Sequence, residues 1–325
     1  MTLPAAVVRL ERHQIALYLA ALLGGGIFGW FLPSGAPVLE SAIKPVLGAL
    51  LFATFLGIPF GRLHRAVRDG RFMAAVLVLN FVLVPVVVFV LSRFVAGEEA
   101  LLVGVVMVLL TPCIDYVIVF SGLAGGASER LLAAAPILML LQMLLLPVYL
   151  LAFTGPGVVA AVEPGPFAEA LVFLILLPLG LAALTQAAAR RFAFPAGLMR
   201  LMQGLMVPLM MLTLAVVIGS QIRGVGDQLA LLATVVPLYA AFLAVMVPVG
   251  LLTARVAGLD VPGTRAVIFS GATRNSLVVL PLALALPAPL ALVSVVVVTQ
   301  TLVELIGMVV FVRLIPRIVR TPVDA

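Results

Sequence analysis

Apolar residues run along this chain in repeated stretches, separated by short segments that carry arginine, glutamate, proline and glycine. Stretches of about 18 or more residues are each long enough to cross roughly 30 Å of hydrocarbon as a helix. The pattern predicts spans at 14–32, 42–60, 72–92, 100–124, 131–153, 167–188, 201–220, 229–253, 266–286 and 290–312. The expected fold class is therefore an all-α polytopic membrane protein of about ten transmembrane helices. Arg9 and Arg12 before the first stretch resemble the charged start of a secretion signal. That stretch is too long for a signal core and has no convincing small-residue cleavage site, so it reads as the first span.

Composition agrees with the pattern: 64% of residues are hydrophobic and 10% charged, against roughly 25% charged in a soluble domain. The formal charge of +6 reports topology rather than nucleic acid, because basic residues flank apolar spans. With both termini inside, the inner segments hold Arg9, Arg12, Arg62, Arg65, Arg68, Arg71, Arg130, Arg190, Arg191, Arg200, Arg255, Arg265, Arg313, Arg317 and Arg320, fifteen in all. The outer segments hold three: Lys44, Arg93 and Arg223. This bias predicts a multi-pass protein of the inner (plasma) membrane with cytoplasmic termini, and shifting the count by one helix would scramble it. Glu40, Glu98, Glu99, Glu163, Glu169 and Asp227 collect outside.

Residues 154–166 are the most loop-like stretch near the middle, and they divide the chain into five spans at 1–158 and five at 159–325. An odd number per half makes the halves opposite in orientation. That is the layout of an inverted-repeat (5+5) carrier, whose corresponding broken helices meet near the midplane.

Two spans carry break signals. Span 4 contains Thr111-Pro112 inside a long apolar run, where proline removes a backbone hydrogen bond. Thr111 as N-cap and Pro112 as first helical residue predict a second half-helix starting there; an ordinary proline kink is the alternative. Span 9 crowds Ser270, Gly271, Thr273, Asn275 and Ser276 around Arg274. Small residues also serve close helix packing, but packing alone does not call for an arginine.

Three ionisable residues lie within spans. Counting about 1.5 Å per residue from the inner ends puts Asp115, Arg274 and Glu304 roughly 14–15 Å deep, close to the midplane. A charge there costs about 2.5 to 3.5 kcal/mol on insertion scales, so partners or a wet cavity are expected, and such residues are functional by default. Asp115 and Arg274 are expected to offset one another, leaving Glu304 without an obvious counter-charge. Asn80 falls at the same depth and Gln300 lies one turn from Glu304, which suggests a polar layer. The competing reading is a static ion pair between spans 4 and 9 with Glu304 neutral.

The lone cysteine, Cys113, forbids an internal disulfide and any multi-cysteine metal site. Buried cysteine is commonly plain core. Beside the break and two residues before Asp115, however, it offers the side chain that best binds soft, thiophilic ions. The histidines, His13 and His64, lie in flanks. No zinc cluster or serine–histidine pair can then form at depth, so no enzyme and no cofactor are expected.

At these residues the chain resembles the arsenite-efflux permeases of the bile acid:sodium symporter and arsenical-resistance superfamily. The pattern CIxxVIVxxxLAxG is matched by Cys113, Ile114, Val117, Ile118, Val119, Leu123, Ala124 and Gly126, and ATRNS of span 9 stands where the family shows an A-S-N-N type segment. The resemblance implies a transporter with a panel and a core, crossing broken helices 4 and 9, and As(III) or Sb(III) efflux driven by proton or cation exchange, with Cys113 as the metalloid contact. The family's arginine before that cysteine is Pro112 here, and its span 9 glutamate falls at about Leu277. Carboxylate and arginine appear instead as Asp115 and Arg274; the span 9 glutamate helps hold sodium in the sodium-coupled relatives, so its absence favours protons, carried by Asp115 or Glu304. The expected site comprises Cys113, Asp115, Arg274, Asn275, Ser276, Glu304, Thr111, Asn80 and Gln300. The alternative is an organic-anion symporter of the bile-acid type, with Arg274 receiving a carboxylate.

Overall fold

The computed structural model describes residues 9–10, 13–58, 69–155 and 164–320. Arg12, Arg62, Arg65, Arg68, His64 and Glu163 lie outside the described residues, as does most of the expected central loop. Among the described residues eight helices are long and apolar enough to cross a membrane: α1 (Gln14–Phe31), α2 (Pro33–Leu56), α3 (Gly70–Val95), α6 (Ser128–Thr154), α7 (Leu171–Ala189), α9 (Met206–Asp227), α10 (Leu229–Val256) and α13 (Ala288–Ile318). They coincide with expected spans 1–3, 5–8 and 10. Spans 4 and 9 are each interrupted, as α4 (Glu99–Leu109) with α5 (Tyr116–Leu123), and α11 (Val261–Ala272) with α12 (Ser276–Leu284). A short amphipathic helix, α8 (Ala193–Gly204), links α7 to α9. The described residues form no strand beyond one isolated bridge. Several helices overrun their apolar windows, since the backbone ladder does not stop at the first charge; α13 carries both Arg313 and Arg317.

The chain forms two compact units, Met1–Phe60 with Ala168–Asp227, and Gly61–Phe167 with Gln228–Ala325. Each draws segments from both halves of the sequence.

In the first unit α1 packs along α9 at close range. A Cβ on Gly29 would lie 2.0 Å from the Gly219 carbonyl oxygen, and one on Gly25 would lie 2.4 Å from that of Ala215. Both obstacles are backbone and cannot swing aside. In lipid, where apolar surface alone does not drive helices together, such small-residue contacts supply the van der Waals adhesion. Gly29→Ala is expected to destabilise this unit by about 1–3 kcal/mol, read as a lower thermal midpoint in detergent. Gly24→Ala, which meets nothing within 4 Å, should leave the midpoint unchanged or slightly raised.

The second unit holds α3 to α6 and α10 to α13. Helix α5 ends in a Schellman motif: Gly126 N–H donates to Ser121 O at 2.8 Å and Gly125 N–H to Gly122 O at 2.9 Å. Gly125 takes the required left-handed conformation, φ 67°. Arg265, expected only as a flanking charge, is buried. Its guanidinium donates to Ala124 O at 3.0 Å and twice to Val319 O, at 3.1 and 2.8 Å, tying the ends of α5 and α13 together. Asp260 caps α11 by accepting from Gly263 N–H at 3.0 Å and receives both arms of Arg130, at 2.8 and 2.9 Å. Chiefly through that side-chain hydrogen bond, its carboxyl is held below the usual carboxylate range.

Candidate functional site

All nine expected site residues lie in the second unit and all are buried. They gather where the two broken spans meet. Pro112 has no N–H to continue α4, and residues 111–115 leave the helix. Thr273 and Asn275 likewise fall between α11 and α12. The two breaks run antiparallel: Asn275 N–H donates to Thr111 O at 2.8 Å, and Cys113 N–H donates to Thr273 O at 3.2 Å. Pro112 and Arg274 face each other across the bridge, which suits a residue without a donor. Each break thus satisfies backbone groups that the other has lost, as a membrane interior demands.

The expected cap at Thr111 is corrected by this pairing. Thr111 closes the first half-helix instead of opening the second: its hydroxyl donates back to Met107 O and Val108 O, at 3.2 and 3.0 Å. Residues 112–114 are held by the opposite break, so α5 cannot begin until Tyr116 and its N-cap position falls to Asp115. In span 9 the corresponding cap is Asn275, whose side-chain oxygen accepts from Val278 N–H at 3.3 Å. Ser276 opens α12, and its hydroxyl accepts from Thr301 at 2.8 Å.

The arrangement of charges also differs from expectation. Arg274 does not pair with Asp115. Its guanidinium donates to Ser270 O and Gly271 O, both at 2.7 Å, to Leu109 O at 3.3 Å and to Asn80 Oδ1 at 2.9 Å. The ring of Phe242 lies 5.4 Å beneath it. Leu109 ends α4, and Ser270 and Gly271 lie in the last turn of α11. The cation therefore sits at two helix C-termini, where orphan carbonyls and the negative ends of two macrodipoles converge. Asn80 is fully engaged: it also donates to Val76 O and Ser270 Oγ, each at 2.9 Å. It stands in a π-helical turn of α3, Leu79–Leu83.

Glu304, expected to lack an obvious counter-charge, is the better held of the two carboxylates. It accepts the Arg274 backbone N–H at 2.7 Å, the Tyr116 hydroxyl and the Gln300 amide. Tyr116 also approaches Arg274 O at 3.4 Å. Sequence reasoning missed Tyr116 because an aromatic in an apolar helix reads as core; the available signal was its hydroxyl, which must find a partner when buried. Asp115 is the carboxylate left over: it is 3% exposed and neither of its oxygens has a hydrogen-bond partner. Nearby side-chain atoms without partners are Asn275 Nδ2, Gln300 Oε1 and Arg274 Nε.

Cys113 is buried as a free thiol in the break itself, its N–H fixed to Thr273. Among the described residues no group of three or more histidine, cysteine or acidic side chains could hold a metal ion. Chemically the junction offers one thiol, one unpartnered carboxyl group and two opposite charges held by hydrogen bonds.

The family model described as "Sodium Bile acid symporter family" matches residues 44–230. No curated protein matches the chain.

Proposed function

The chain belongs to the sodium bile acid symporter family, whose members are membrane transporters rather than enzymes, and from that premise we propose that it exports arsenite or antimonite in exchange for protons. The family implies a small-molecule substrate and coupling to a cation; metalloid and proton are our assignment. The observation that carries it is Cys113, a free thiol held in the break of span 4 two residues before the unpartnered Asp115. A trivalent arsenic hydroxide reacts with a thiol to form an S–As bond and release water, and the reverse step frees it. One thiol gives weak, reversible holding, which suits a carrier. Asp115 takes the part of proton carrier, and Glu304 stays with its three donors.

The layout supports the same reading. Counting the two interrupted spans with the eight continuous helices gives ten, and each half then contributes two spans to the first unit and three to the second, at corresponding positions. That is the division expected of a five-plus-five inverted repeat. Both termini are assigned to the cytoplasm on the arginine bias. The organic-anion reading needs Arg274 to receive a carboxylate. Its guanidinium already serves four protein oxygens, which favours the metalloid.

Cells lacking arsenic exporters should tolerate arsenite when they make this protein and remain sensitive with the vector alone. Cys113→Ser should cut arsenite transport by at least the roughly 10- to 100-fold that losing a ligand's supporting hydrogen bond already costs a metal site. Full tolerance in that variant would remove the thiol from the mechanism.

A further inference from the structure

A buried arginine usually answers a carboxylate, yet none of the charge-bearing oxygens of Asp115 or Glu304 accepts from the Arg274 guanidinium. The group is fully buried. Its contacts are three main-chain carbonyls, from the last turns of α11 and α4, and one amide oxygen from α3, at 2.7 to 3.3 Å. Phe242 adds an aromatic face at 5.4 Å. Neutral oxygens and the negative ends of two half-helices are the coordination that broken-helix carriers offer a coupling cation. Each helix end contributes about half a negative charge, so the junction needs roughly one positive charge to balance it. A guanidinium supplies that charge through a planar fork of donors and does not deprotonate in proteins.

We propose that Arg274 is a tethered cation: its guanidinium permanently fills the place at the junction of α4 and α11 that a transported sodium ion would otherwise occupy. The carrier therefore completes its cycle without sodium, and proton exchange remains as the coupling reaction. Glu304 completes the device, since it accepts the Arg274 main-chain N–H at 2.7 Å and so fixes the backbone from which the guanidinium reaches the junction. Asp115, which Arg274 does not engage, is left available to the proton. This inference deepens the carrier reading and rests on it.

The test is thermal unfolding of the purified full chain in detergent, with sodium chloride exchanged for choline chloride at equal ionic strength. The unmodified protein and Arg274→Lys, which keeps a cation in place, should show the same midpoint in both salts. Arg274→Ala should unfold at lower temperature in choline and regain roughly 5 °C on adding sodium, or a few millimolar guanidinium chloride, as a ligand of the vacated oxygens. Recovery of Arg274→Ala only in the presence of either cation counts as the same result. Stabilisation of the unmodified protein or of Arg274→Lys by sodium would overturn the proposal. So would an Arg274→Ala chain that neither cation restores, folded or not. No substrate is present in these measurements, so a negative result removes the tethered cation and leaves the arsenite assay to judge the carrier reading separately.

Discussion

Glu304→Ala is expected to destabilise the protein by about 3–5 kcal/mol, the scale for breaking a buried charged cluster. Three donors lose their acceptor at once: the Arg274 N–H, the Tyr116 hydroxyl and the Gln300 amide. Each is buried, and an unsatisfied buried group costs roughly 1–3 kcal/mol. Arg274 also loses the nearest compensating charge. Glu304→Gln separates these contributions. Its amide oxygen still accepts from Arg274 and Gln300, and its amino group can donate to the Tyr116 oxygen while that hydroxyl turns to Arg274 O, 3.4 Å away. Glutamine should thus recover most of the loss, to within about 1–2 kcal/mol of the unmodified protein. Denaturant or thermal unfolding in detergent reads both variants. A glutamine as damaging as alanine would show that the negative charge, rather than the hydrogen-bond set, holds the junction.

Asp115→Ala is expected to do the opposite to stability and more to transport. Both oxygens of the buried carboxyl group lack partners, so removing them deletes a penalty of roughly 1–3 kcal/mol at the smaller cost of a one-carboxyl cavity. The net expectation is a gain of about 1 kcal/mol with arsenite exchange abolished, the trade often found where a site stores instability for function. Asp115→Asn should abolish exchange as well, because it cannot carry a proton, but without the gain, since an amide there is still orphaned. Arsenite uptake by everted membrane vesicles under an imposed pH gradient measures the exchange, and thermal unfolding measures the gain. A destabilised Asp115→Ala would mean that the carboxyl group has a partner in the working protein. Undiminished exchange in either variant would end its role as proton carrier.

Much of this molecule was legible without coordinates because lipid imposes its own grammar. With no water in the hydrocarbon, each backbone polar group must be satisfied within the protein, so a long apolar run reads as a spanning helix, and among the described residues eight runs are continuous helices. The break sites were legible for a local reason too. Pro112 cannot donate, and the polar residues around Arg274 had no reason to crowd an unbroken apolar helix. Equal depth along their spans set Asp115, Arg274 and Glu304 in one expected layer but did not say which of them meet; the fold joins Glu304 to the Arg274 main-chain N–H.

The partners of those charges could not be read in the same way. Sequence reasoning pairs opposite charges at similar depth, and so set Arg274 against Asp115. In the fold the guanidinium goes to main-chain carbonyls at the ends of α4 and α11, groups that no sequence displays because every residue carries one. Glu304 is likewise satisfied by a main-chain N–H and by Tyr116, 188 residues away along the chain.

By itself, then, the sequence determined the apolar spans and the two interruptions within them, because those depend only on local composition and on a fixed rise per residue. Which charge is satisfied and which is left over was decided by tertiary structure alone. That outcome rests on where two half-helices end in space, and their terminal dipoles and unpaired carbonyls exist only once the breaks have met.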